Sequence, residues 1–186
     1  MKITLKTLPI VAFLAIFSSF SDVFGQQNTT ASDSDNLAKA WFDEALYEPD
    51  NAQKIAAYNN VLKLNPNSAD AYNNRGVAKK HLGRFSEAVA DYDQAILLKP
   101  DFAVAYYNRG DAKKNLGQYE DALKDFDKTI ELRPDLPQAH GSKGCTLVAM
   151  GRYKEALAAL NKCLEMDGSQ VFAKNCRKEA INARKK

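Results

Sequence analysis

Apolar residues recur at intervals of three and four from Phe85 onward: Phe85, Ala88, Val89, Tyr92, Ala95 and Ile96, then Tyr119, Ala122, Leu123, Phe126, Thr129 and Ile130. That spacing puts them on one face of a helix. The second set lies 34 residues after the first, and the whole stretch from Ala69 to Gln170 is three copies of one 34-residue pattern. Small residues mark each copy: Gly76, Gly110 and Gly144 in the first half, Ala88, Ala122 and Ala156 in the second. Such positions let two helices approach closely. Gly83, Gly117 and Gly151 follow the first amphipathic segment, where a helix end favours a left-handed residue, so each copy reads as a helix, a turn and a second helix. Pro66, Pro100 and Pro134 stop the second helix, and Asn67, Asp101, Asp135 and Ser169 are expected to cap the helix that follows. A helical pair repeated at fixed period cannot bury its apolar face alone and must stack on its neighbours.

These residues resemble the tetratricopeptide repeat family. Its pattern is carried here by Tyr72 and Tyr106 as the first aromatic, Gly76, Gly110 and Gly144 as the first glycine, and Tyr92 and Phe126 as the later aromatic. Ala95, Thr129 and Cys163 hold the second small position. Arg75, Arg109 and Lys143 stand where the family usually has Leu, His140 replaces the first aromatic, and Gly168 replaces the last Pro. The third copy is the most altered and is expected to open first. The resemblance implies an all-α fold, a right-handed α-solenoid of antiparallel helix pairs.

Counting back one period makes residues 35–68 a degenerate first repeat, with Phe42 where Gly is expected and Tyr58 in phase with Tyr92. The full repeats are 69–102, 103–136 and 137–170, and 171–186 form a basic capping helix. Such atypical terminal units close the ends of repeat arrays. Residues 1–25 begin with Lys2 and Lys6, continue through an apolar run from Leu8 to Phe17, and end at Val23-Phe24-Gly25. This reads as a secretory signal peptide cleaved before Gln26, too short in its apolar centre to span a bilayer. Residues 26–34 read as a disordered polar tether. An exported protein, periplasmic or secreted and without a membrane span after cleavage, is the expectation.

With 45% hydrophobic and 26% charged residues the composition is that of an ordinary folded domain. Removing the leader lowers the formal net charge from +3 to +2, which argues against nucleic acid as a partner. Residues 171–186 nevertheless carry six basic residues against Glu179. They read as a solvated helix end, or as a contact to an acidic partner or membrane surface. No nucleophile–base–acid set, phosphate loop or metal-ligand spacing is present, so no enzyme activity, cofactor or metal is expected.

By the resemblance, the first helix of each pair lines a concave groove, which places Asn73, Asn74, Val77, Lys80, Tyr107, Asn108, Asp111, Lys114, Ser142, Cys145 and Val148 there. Amides and Tyr suit recognition of a peptide backbone. Asn74, Tyr107 and Asn108 are the expected affinity carriers, with Tyr107 facing away from the core. Cys145 and Cys176 would face the same groove from successive units. Export permits a disulfide between them, and two free thiols are the alternative. Cys163 reads as a small buried hydrophobe. Some members of the family hold a C-terminal carboxylate with Lys and Asn side chains. Lys39, Asn74 and Asn108 match pieces of that set, but Asp43 and Val104 replace an amide and a cation, and an acid at the site repels a carboxylate.

The recurrent acids, Asp91 with Asp93 and Asp125 with Asp127, are expected to pair with Arg75 and Arg109. The sequence therefore points to a non-catalytic scaffold that binds a protein or peptide partner in the groove. The alternatives are a self-associating structural module and, less favoured, a phosphate or nucleic-acid module using Arg75, Lys79, Arg109 and Lys113.

Overall fold

The structure, a computed structural model, describes residues 31–185; the expected leader and residues 26–30 of the expected tether lie outside them. Two compact units are distinguished, residues 1–34 and 35–186, and of the first only the start of α1 is described. Among the described residues there are nine helices and no strand: α1 Ala31–Tyr47, α2 Asn51–Leu64, α3 Ala69–His81, α4 Phe85–Leu98, α5 Ala103–Asn115, α6 Tyr119–Leu132, α7 Pro137–Ala149, α8 Tyr153–Met166 and α9 Val171–Ala183. Helix α1 starts at Ala31, so residues 31–34 are helical where the tether was expected. Each helix from α2 to α9 packs on the one before it in a hairpin or on the one that follows, and α9 lies on both α7 and α8.

One contact recurs in every full repeat. A Cβ added to Gly76 would lie 2.7 Å from the Tyr92 ring, one on Gly110 2.9 Å from the Phe126 ring, and one on Gly144 2.5 Å from Leu160. Tyr92, Phe126 and Leu160 are fully buried, as are Ala88, Ala122 and Ala156 beside them. The helices of each hairpin thus meet where one contributes no side chain and the other contributes its bulkiest. In the degenerate repeat Phe42 takes the glycine column, and its ring instead packs edge-on against Tyr58 at 5.6 Å.

Gly83, Gly117 and Gly151 have φ of +73°, +75° and +73°, the left-handed turn that links the two helices of each pair. The residues before Pro66, Pro100 and Pro134 leave the helical region, with φ between −132° and −139° and ψ between 78° and 88°, as the proline ring favours. The caps differ from expectation. They fall one residue later, at Ser68, Phe102, Leu136 and Gln170, and only Ser68 bonds through its side chain, to the Ala71 amide at 3.2 Å. At the others a backbone turn closes the corner, such as the Phe102 amide donating to the Lys99 carbonyl at 3.1 Å. The side chain at the cap is thereby freed for an apolar residue.

The third repeat, the most altered in sequence, has a large core of its own: Leu147, Val148, Ala156, Leu160 and Cys163 pack with Ala173 and Ala180 of α9. Phe172 fills the space above Gly141, whose added Cβ would meet that ring at 2.6 Å. Loss of the aromatic at position 160 is thus offset by apolar packing from the capping helix. Gly144→Val should lower stability by about 1–3 kcal/mol through overpacking against Leu160, read as a lower denaturant midpoint with an unchanged slope.

Candidate functional site

Arg75 and Arg109 tie each repeat together and to the one before. The Arg75 guanidinium donates to both Asp91 carboxylate oxygens, at 2.9 and 2.6 Å, and to Asn59 of the preceding α2 at 2.7 Å. Arg109 does the same with Asp125, at 2.9 and 2.6 Å, and with Asp93 of the preceding α4 at 2.6 Å. Each guanidinium also lies 5.3 Å from a ring centroid, that of Tyr72 or Tyr106. Lys79 and Lys113 complete the charge balance on the buried Asp91 and Asp125, at 2.7 and 2.8 Å. Burial pulls the Arg109 pKa down, but hydrogen bonds and charge from Asp125 and then Asp93 outweigh it and hold the group above its ordinary value. The third repeat keeps half the device, Lys143 reaching Asp127 at 2.6 Å, because Ala159 stands where Asp91 and Asp125 stood. Arg75, Lys79, Arg109 and Lys113 are turned inward onto carboxylates only 5% exposed, which leaves no free stripe for phosphate. The reading of Arg75, Lys79, Arg109 and Lys113 as a phosphate or nucleic-acid stripe is corrected accordingly.

The first helices of successive units, α3, α5, α7 and α9, are joined side chain to side chain. The Asn108 amide donates to Asn73 at 3.0 Å, and Asn73 donates to its neighbour Asn74 at 3.1 Å. Lys80 of α3 reaches Asp111 of α5 at 2.8 Å, and Lys114 reaches the other Asp111 oxygen at the same distance. Burial raises the Asp111 pKa, but the bonds from Lys114 and Lys80 outweigh it, so the carboxyl sits below its ordinary value. Its contribution to stability is therefore present above the ordinary carboxylate range and lost as pH falls through the lowered value. Tyr107 and Ser142 share a hydrogen bond at 3.3 Å, and Cys145 and Cys176 form a disulfide with Cα atoms 5.4 Å apart.

These bonds change what the predicted groove residues do. Asn73, Asn108, Ser142 and Val148 are buried, between 5% and 8% exposed, and act in the seam between helices or in the core rather than as free recognition groups. Tyr107 is half-buried, its ring 5.9 Å from Phe126 and its hydroxyl engaged by Ser142, so it does not face away from the core. The physical reason is the same throughout. A polar side chain on the line where two first helices meet finds its nearest partner on the next repeat. Asn74, Val77, Lys80, Asp111 and Lys114 remain half-exposed on that face.

Asn74 and Val77 line a cleft of about 150 Å³ with His81, Leu46, Lys54 and Tyr58. That is below the roughly 300–1,000 Å³ of small-molecule sites and suits one side chain. Leu46, Lys54 and Tyr58 were missed from sequence because they belong to the degenerate repeat; the phase of Tyr58 with Tyr92 was the available signal. Lys39 and Asp43 line a different cleft, of about 510 Å³, with Asp35, Phe42 and Val61. Lys39 is thus not brought into the Asn74 cleft, and Val104 lies exposed on α5. Among the described residues no group of three or more His, Cys, Asp or Glu could hold a metal, and no helix is long and apolar enough to cross a membrane.

Models of the tetratricopeptide repeat match residues 69–102, 103–136 and 137–170, and a TPR repeat model matches residues 50–83. The chain belongs to the tetratricopeptide repeat family. Members of this family are generally non-catalytic interaction modules. Similar solved structures include a tetratricopeptide repeat protein from Parabacteroides merdae ATCC 43184, at 20% identity and TM-score 0.70 over 82% of this chain and 60% of that one. MamA is similar at 24% identity and TM-score 0.66, over 87% of this chain and 88% of that one. The first repeat domain of Spaghetti (RPAP3), solved bound to an HSP90 peptide, has 21% identity and TM-score 0.62 over 63% of this chain and 94% of that one. At these identities the likeness is one of fold. No curated protein sequence matches the chain.

Two outcomes follow from these contacts. Asp125→Ala leaves Arg109 and Lys113 without their buried counter-ion and should cost about 3 kcal/mol, the low end for breaking a buried pair because both cations keep some solvent; chemical denaturation reads it. Reducing the Cys145–Cys176 bridge opens a loop spanning a sequence separation of 31 and should lower stability by about 3–4 kcal/mol on the chain-entropy account, with Cys176→Ser reproducing the shift in melting temperature.

Proposed function

We propose that this tetratricopeptide array is an exported, non-catalytic scaffold that binds a peptide segment of a partner protein on the face formed by α3, α5 and α7. The observation that carries the reading is the run of bonds joining those helices to one another. A face whose helices are already fastened loses little conformational freedom on binding, which favours recognition of an extended segment. Asn74 and Val77 supply a side-chain-sized cleft at one end. Lys80, Asp111 and Lys114 supply charge of both signs beside it. A net positive trio of this kind favours a peptide with an acidic residue next to an apolar anchor.

The HSP90 peptide held by the RPAP3 domain is a fact about that protein, and its mode is not carried over here. Asp43 and Val104 remove the groups needed to hold a terminal carboxylate, so the proposed ligand is an internal segment. Export is supported by the disulfide, since such bonds persist in oxidising compartments, and by the leader-like residues 1–25.

A panel of internal peptides pairing an acidic residue with Leu or Phe, titrated against the protein by fluorescence anisotropy, tests the proposal. Val77→Asp and Lys80→Ala are each expected to weaken the best binder by about tenfold, or 1.4 kcal/mol, with helix content unchanged. Equal affinity for parent and both variants would place binding elsewhere.

A further inference from the structure

The two ends of the array carry opposite charge that the fold leaves unused. From Asp35 to Lys185 the ion pairs all lie between Arg75 and Glu165. Beyond that interval, residues 35–50 hold Asp35, Asp43, Glu44, Glu48 and Asp50 against Lys39, a net −4, and none of them is in an ion pair. Residues 171–185 hold Lys174, Arg177, Lys178, Arg184 and Lys185 against Glu179, a net +4, again with no ion pair. All five of these cations are exposed, as are Asp35, Asp43 and Asp50. Glu44 and Glu48 are crowded enough that burial, and then the Glu48 charge, push the Glu44 pKa up.

Each charged end also has apolar surface. On α1 Leu46 is 48% exposed, and Tyr47, which follows it, 87%; on α9 Val171 is 66% exposed. The 510 Å³ cleft between α1 and α2 is lined by Asp35, Phe42 and Asp43, and a cleft of about 640 Å³ beside α8 and α9 by Tyr153, Lys178 and Asn182. Phe42 and Lys178 both occupy the column that Gly76, Gly110 and Gly144 hold in the body. In α1 that column already faces α2 through the Phe42–Tyr58 contact, and α9, with Lys178 there, has no second helix after it among the described residues.

We infer that the array docks end to end with a second copy of this chain, the basic α9 of one molecule seating on the acidic α1 of the next. The matched magnitude and opposite sign of the two unpaired ends carry the inference, and the occupant they specify is the same chain. Such a contact is heterologous: each molecule uses both ends, so the assembly grows into a ring or an open chain rather than stopping at a symmetric dimer. This contact shares Leu46 with the Asn74 cleft but none of the charged residues altered below, so the charge variants test it apart from peptide binding.

The test uses protein purified after expression of the full chain. Sedimentation velocity should show mass rising with concentration at about 50 mM salt, with the association constant falling at least about tenfold at about 500 mM, where exposed charges are screened. Two charge variants decide the geometry: Lys174→Glu with Arg177→Glu and Lys178→Glu, which is acidic at both ends, and Asp35→Lys with Asp43→Lys, which brings residues 35–50 to a net charge of zero and leaves only the basic end. Neither should associate alone, and an equimolar mixture of the two should. The altered positions are exposed, and circular dichroism confirms folding. A parent monomeric throughout, association indifferent to salt, or a mixture that stays monomeric overturns the inference. If the parent is monomeric yet binds phosphatidylglycerol vesicles through the basic helix, α9 is a membrane contact and the inference is equally overturned.

Discussion

The close approach of glycine to a bulky side chain fixes the geometry of every full repeat. With no side chain at Gly76, Gly110 or Gly144, the first helix can be covered directly by Tyr92, Phe126 or Leu160 of the second. Because the same crossing is made three times at a period of 34, each first helix meets the next in the same way. The polar residues along that meeting line then find partners at hydrogen-bonding distance. Packing inside one hairpin thus determines which groups face each other between hairpins.

Two kinds of fastening follow from that repetition. On one side Arg75 and Arg109 each grip their own second helix and the second helix before it, with buried carboxylates balanced by two cations apiece. On the other, the first helices are joined by Asn73 with Asn108, Lys80 with Asp111, Tyr107 with Ser142, and finally a covalent bond. The covalent link stands at the C-terminal end, where the repeat pattern is weakest. The third repeat has lost its aromatic and its buried Asp. It gains Phe172 against Gly141 and the Cys145–Cys176 bridge in their place.

The helical pairs, their turns and the pairing of Arg75 and Arg109 with Asp91 and Asp125 were legible in the sequence, because each depends on a residue type recurring in one column. The caps were misplaced by one residue because Asp101 and Asp135 are better capping types than Phe102 and Leu136, and backbone turns made the choice instead. The site was less legible. Amides at Asn73 and Asn108 look the same in sequence whether they await a ligand or bond to each other, and the deciding fact is a separation of 35 residues, one more than the repeat. The cleft at Asn74 draws half its lining from helices outside the regular pattern, where counting by period gives least information.

The central claim is that α3, α5, α7 and α9 form one continuous, fastened face rather than a string of independent units. Hydrogen exchange on the oxidised protein addresses it directly. The account predicts that amides in α5, α7 and α9 open with a shared free energy, and that adding reductant lowers protection in α7 and α9 first. Faster exchange in α7 and α9 than in α5 while the Cys145–Cys176 bond is intact would contradict it.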